Sequence, residues 1–277
     1  MRRIALTVAL LLAAMNVAFA WGPSGHSIIA EIARLAPLTL QHVADLPRSG
    51  ASLASSASWA DDERAGDKTT TRWHFADIPR TAPGYDPARD CVLDASDGEC
   101  IIAAINRQLG IVACPSLPLE PRRRALKFLV HFLSDLHQPL HAIDEEGGNS
   151  VKVTVVAQKG VNGNIPFTTS LHAVWDVTLI DKTVWSWGSY VERLENSWLK
   201  IADANSVTCG TTIDWANESH QLAISIMRSV PADGVLDDDY RRVNLPVLDT
   251  QHSRAGLRLA KTLNDAFAKG DCPAGQE

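Results

Sequence analysis

After residue 21 the apolar positions recur mostly at helical spacing. "GHSIIAEIARLA" reads as an amphipathic helix, and "DGECIIAAINRQLG" as another, with Asp97 as N-cap and Gly110 as its stop. "PRRRALKFLVHFLSDLH" is a longer helix with Pro121 at an acceptable first position. "SLHAVWDVTLIDKTV", "YVERLENSWLKIAD", "DWANESHQLAISIMRSV" and "HSRAGLRLAKTLNDAFA" carry the same periodicity. Alternation of the β kind is confined to "NSVKVTVVAQ" and "IPFTTS", joined by "KGVNGN", which together predict a small hairpin. Residues 76–97, with Pro79, Pro83 and Pro87, read as a long loop over the surface. There is no internal repeat and no low-complexity linker, so the expectation is one mainly α domain with a β-hairpin insertion.

The first twenty residues break this pattern. "MRRIALTVALLLAAMNVAFA" has two arginines, an apolar run over 4–14 and the small-x-small end Ala18-Phe19-Ala20, the three parts of an export signal. The run is short for a membrane span, so cleavage would make Trp21 the first residue of an exported, soluble protein. The expected domain is then 21–277. Its 24 Lys+Arg against 32 Asp+Glu give a formal charge of −8. Such an acidic chain is poorly suited to wrapping duplex DNA, which needs many Lys/Arg–phosphate contacts. Cys91, Cys100, Cys114, Cys209 and Cys272 fit two disulfides and one free thiol in an oxidising compartment, and Cys91 and Cys100 could close a local loop.

Candidate chemistry lies in the histidines. In "VHFLSDLHQPLHA", His131 and Asp135 are four residues apart, roughly 40° on one helix face and close enough to share a metal. His172 and Asp176 in "LHAVWD" repeat the arrangement. His141 follows Pro139, which breaks the helix and can turn that imidazole toward a neighbouring metal. His137 falls on the other face and reads as a packing or supporting residue. Asp61 and His74 lie among Trp59 and Trp73, which read as core. A freed α-amine at Trp21, chelating with its own carbonyl, would join His26. Nitrogen and carboxylate ligands without thiolate suit zinc. Nine ligands are too many for one ion and too few to saturate three, which leaves open positions of the catalytic kind. Three Zn²⁺ against three carboxylates would leave a +3 cluster, so metal rather than lysine would attract a phosphate. His42, His220 and His252 have no partner at such spacing and read as structural.

The motifs "WGPSGH", "SWADDER", "WHFADIP", "HFLSDLHQPLHA", "GGNSVKV", "LHAVWD" and "AGLRLAKTLN", in this order, resemble the class I nucleases, a family of extracellular zinc-dependent enzymes that prefer single strands. The resemblance implies the mainly α phospholipase C/nuclease fold and three Zn²⁺ per chain. Asp61, His74, His131 and Asp135 would hold one ion. Trp21, His26 and the same Asp135 would hold a second, and His141, His172 and Asp176 the third. Arg64 resembles the phosphate-facing arginine, so Asp61, Arg64 and Asp135 are the candidate catalytic residues. Phe75 and Asp77 resemble the residues that stack on and hydrogen-bond a nucleobase, and Asn149 a polar residue of the cleft. Ser134 stands where the family often has glycine.

The implied activity is hydrolysis of single-stranded DNA and RNA, with little sequence specificity, to 5′-phosphorylated products, and removal of phosphate from 3′-nucleotides. The metals would activate water for attack on phosphorus. The implied partners are single-stranded nucleic acid and nucleotides, with no stable membrane association, in a secreted or periplasmic monomer. A zinc-dependent phospholipase C is the sister reading, opposed by Asp176 in place of a glutamate, by "GGN" and by "WHFAD". A non-catalytic zinc-binding protein would need closed coordination and no Arg64, Phe75 or Asp77.

Overall fold

Helix α1 (Pro23–Arg34) buries His26, Ile28, Ile29 and Ile32 along one stripe. The structure, a computed structural model, describes residues 21–34, 51–94, 96, 98–156, 165–270 and 272. The export-signal reading, His42 and the "KGVNGN" turn lie outside the described residues. Further along come α2 (Trp59–Gly66), α3 (Ile101–Ala113), α4 (Leu119–Leu136), α5 (Trp187–Glu195), α6 (Thr212–Ser229) and α7 (Asp238–Lys269). Helix α4 is the axis of the core, with every residue from 128 to 136 buried. A helix buried on all sides needs neighbours on all sides, and α1, α2, α3, α6 and α7 all pack against it.

Helix α7 is 32 residues, roughly 48 Å at the usual rise. Asp237 caps its start by accepting from Asp239 N and Tyr240 N, and Gly270 ends it in the left-handed conformation at φ 61°. Its closest neighbour is α1, at Gly256. A Cβ there would lie 2.4 Å from Ile32 Cγ2 and 3.1 Å from the Ile29 carbonyl oxygen, leaving no room for a methyl group. Gly256→Ala is therefore expected to lower stability by about 1–3 kcal/mol, overpacking outweighing the gain in helix propensity. A urea-unfolding midpoint equal to or above that of the wild type would contradict this packing.

The hairpin is β1 (Lys152–Val155) antiparallel to β2 (Phe167–Ser170), with Lys152 opposite Ser170 and Val155 opposite Phe167. A third strand, Val235–Leu236, pairs in parallel with β1 and was not foreseen, since two residues carry no periodicity. Helical boundaries also moved. Gly110 does not stop α3, because Val112 still buries its side chain and the helix continues to Ala113. Cys100, not Asp97, occupies the N-cap of α3. Helix α4 begins two residues before Pro121, which remains in the first turn, where an amide lacks an intrahelical partner anyway. Helix α7 starts well before "HSRAG" and runs through Pro246.

Residues 76–97 are not wholly on the surface. Ala76 and Ile78 are buried, Ala76 N donates to the His141 carbonyl, and Asp144 N donates to that of Ile78. The loop thus lies against the site. Trp59 and Trp73 are half-buried rather than core, edge-on to Phe128, with Lys127 over the first ring and Arg107 over the second. Disulfides join Cys91 to Cys100 and Cys114 to Cys272, and Cys209 is an exposed free thiol. No helix among the described residues is long and apolar enough to cross a membrane.

Candidate metal centre

Six elements deliver the candidate ligands to one buried region. Helix α4 presents His131 and Asp135 four residues apart, as the periodicity requires. Asp61 comes from α2, and His74 from the end of the 3₁₀ turn Lys68–His74. His26 lies in the first turn of α1. Helix α4 ends at Leu136, and the separate 3₁₀ turn Pro139–Ala142 reorients His141. His172 and Asp176 lie on the helix over 171–181, which widens into a π turn at Val174–Thr178.

The ligand atoms fall into three adjoining groups: His26, His131 and Asp135; Asp61, His74 and His131; and His141, His172 and Asp176. Asp135 is the hinge of the first two. Its Oδ1 lies 3.3 Å from His26 Nε2, and its Oδ2 lies 3.1 Å from both His74 Nδ1 and His131 Nε2. Asp61 Oδ1 is 3.7 Å from His131 Nε2 and 3.9 Å from His74 Nδ1. In the third group His172 Nε2 lies 3.2 Å from both Asp176 Oδ2 and His141 Nε2.

These spacings fit metal. Ligands on a tetrahedral zinc at about 2.0–2.1 Å stand roughly 3.3 Å apart. The buried side-chain atoms with no hydrogen-bond partner include His26 Nε2, Asp61 Oδ1 and Asp135 Oδ1, all of which face the cluster. Such atoms are costly unless something accepts their lone pairs, and a divalent cation does.

Backbone carbonyls set the tautomers. His131 Nδ1 donates to Ala57 O at 2.8 Å, His141 Nδ1 to His74 O at 2.7 Å, and His172 Nδ1 to Gly147 O at 2.8 Å. Each leaves Nε2 to face its cluster, the usual support for a metal-ligating imidazole. The last contact needs glycine. At Gly147 φ is 58°, and a Cβ would sit 2.6 Å from Leu140 O and 3.1 Å from His172 Nδ1. Glu145 and Glu146 before it also have positive φ, 61° and 54°, a strained backbone of the kind found at functional sites.

Burial pushes the imidazoles of His26, His74 and His141 well below their ordinary range, with neighbouring histidines adding to the effect. His131 differs, because burial is outweighed by Asp135 and Asp61, which lift it to about 9. Burial raises the Asp61 and Asp176 carboxyls, and brings Asp135 to about 7 despite His131. Metal binding would require the cluster to release these protons, so a bound cation and the protons compete for the same atoms.

Trp21 is fully buried beside this region. Its indole N–H donates to the Ser134 carbonyl at 2.9 Å, one residue before Asp135, and the ring lies against His252. Arg64 reaches Asp61 at 3.3 Å and lines a cavity of about 230 Å³ with Phe75, Asp77, Leu140, Ile143, Glu146, Asn149 and the candidate ligands His141 and His172. Burial raises the Asp77 carboxyl. All the residues singled out for base and phosphate contact therefore share one cavity.

The other described histidines bond outside these groups. His137 Nδ1 donates to Leu133 O, and its Nε2 accepts from Arg258. His220 faces the carbonyls of Ala142 and Ala82, and His252 that of Leu248. Sequence reasoning missed Gln138, which binds Asp176, and the cavity residues Leu140, Ile143 and Glu146. Their only mark was adjacency to His141 and Gly147.

The chain matches the family model described as S1/P1 Nuclease over residues 21–268. Nuclease P1 of Penicillium citrinum is 32% identical over 278 residues, covering 88% of this chain and 97% of its own. Endonuclease 3 of Arabidopsis thaliana is 30% identical over 288 residues, with 95% and 94% covered. Nuclease S1 of Aspergillus oryzae is 28% identical over 298 residues, with 95% and 98% covered. A match over nearly the whole described chain places the protein in the S1/P1 nuclease family.

Proposed function

We propose that this chain is a zinc-dependent endonuclease that hydrolyses single-stranded DNA and RNA to 5′-phosphorylated products and removes phosphate from 3′-nucleotides. The observation that carries the reading is the juxtaposition of three ligand groups with a cavity that offers an arginine, an aromatic ring and a carboxylate. Asp61, His74, His131 and Asp135 would hold one ion, Trp21, His26 and Asp135 a second, and His141, His172 and Asp176 a third. When bound, the ions supply Lewis acidity and lower the pKa of water at neutral pH.

The chain itself binds and orients the substrate. Arg64, held at 3.3 Å from Asp61, is placed to donate to the phosphoryl oxygens. Phe75 stacks on one base, while Asp77 accepts from donors on its edge and Asn149 contributes a polar group at the rim. A base can enter such a cavity only when unpaired and splayed from its neighbours, which gives the single-strand preference. Stacking accepts any base, so sequence specificity is weak.

The reading includes an export signal at 1–20, one catalytic domain over 21–277 and a secreted or periplasmic monomer. The two disulfides suit that compartment. The decisive experiment supplies denatured DNA to protein with a confirmed Trp21 N-terminus and full zinc content, and identifies the products by mass. Nucleotides bearing 5′-phosphates support the reading. Their absence, with phospholipid hydrolysed instead, would replace it with the lipase branch and remove the base-binding roles of Phe75 and Asp77.

A further inference from the structure

Gln138 is fully buried beside the His141/His172/Asp176 group, and both ends of its amide are used. Its Oε1 accepts from Leu140 N at 2.7 Å, capping the 3₁₀ turn Pro139–Ala142 that presents His141. That contact fixes which end of the amide is the carbonyl. The NH₂ end therefore faces Asp176, and Nε2 donates to Asp176 Oδ1 at 2.6 Å. The other carboxylate oxygen, Oδ2, is the one 3.2 Å from His172 Nε2. One side chain thus ties the break after α4 to the π turn carrying Asp176, although 38 residues separate the two in sequence.

We infer that Gln138 is a positioning residue that builds the His141/His172/Asp176 site, holding Asp176 so that only Oδ2 is offered to the ion while it caps the turn that aims His141. The inference rests on the three-metal reading proposed above. An unclamped carboxylate could swing, or offer both oxygens, and the ring of His141 would lose its fixed approach. Partners of this kind typically change metal affinity by about 10- to 100-fold when removed. The other two ligand groups make no hydrogen bond to the Gln138 side chain, so the loss is confined to one ion of three.

The test is zinc titration of the processed, full chain against a chromophoric chelator, followed by metal analysis after gel filtration. Gln138→Met keeps length and approximate volume but removes both hydrogen bonds. Gln138→Glu keeps an acceptor for Leu140 N and replaces only the donor facing Asp176, so it preserves the turn if the first variant fails to fold. Both variants are expected to bind two ions as the wild type does and a third about 10- to 100-fold more weakly, with occupancy restored by excess zinc. A merely structural role would lower the melting temperature and leave the third affinity unchanged, or weaken all three sites alike. Either result, or tighter third binding, overturns the role of Gln138 while leaving the three-metal reading intact. A wild type that takes up fewer than three ions would sink that reading, and this role with it.

Discussion

Protein carrying one extra residue before Trp21 is expected to lose zinc and to fall by about two orders of magnitude or more in hydrolysis of denatured DNA, the scale on which small misplacements act. The reason is chemical and steric together. An added residue converts the α-amine to an amide, whose nitrogen has no lone pair to give a metal. The site also has little slack: Trp21 is fully buried, its indole is held by the Ser134 carbonyl, and Gly22 N donates to Asp176 O at 2.9 Å. Gly25 is part of this fit, since a Cβ there would lie 2.9 Å from Trp21 Cβ. The check is intact mass to confirm the extension, zinc per chain, and initial rate. Full zinc and full rate with the extension in place would remove Trp21 from the ligand set.

The second large effect is expected at Asp135. Its two oxygens lie 3.1–3.3 Å from three imidazoles of two ligand groups. Asp135→Asn keeps the shape, but removes a charge and turns one ligand oxygen into an NH₂ group that cannot coordinate. Zinc content should fall, with at least about a 100-fold loss of rate, beyond what a supporting residue costs. Asp77→Asn removes only an acceptor for the base edge. One hydrogen bond is worth about 0.5–1.5 kcal/mol, so a loss of about tenfold or less is expected on a generic single strand. Equal losses in the two variants, with zinc intact in both, would contradict the bridging role.

The local parts of this site could be read directly. The His131/Asp135 and His172/Asp176 pairs need only helical spacing, and the structure sets them 3.1 and 3.2 Å apart. Pro139 was enough to foresee that His141 turns away from the α4 direction. Helical spacing likewise sets His137 on the other face, where it meets Arg258 and Trp215. The errors fell where non-local contacts decide. Residues 76–97 have loop composition, yet Ile78 is buried because its carbonyl accepts from Asp144 beside the cavity. Gly110 looks like a helix stop, but the apolar face of α3 continues past it to Val112.

By itself the sequence determined the mainly α character, the i, i+4 His/Asp pairs, the break at Pro139 and the family motifs. All of these depend on residues within a few turns of one another or on their order. The tertiary structure decided that Asp135 lies between two ligand groups, that carbonyls of Ala57, His74 and Gly147 set three imidazole tautomers, and that Gln138 clamps Asp176. The hydrogen-bonded partners among them are 25 to 74 residues apart, and backbone carbonyls carry no side-chain identity. Only the packing of the helices around α4 brings such atoms within bonding distance.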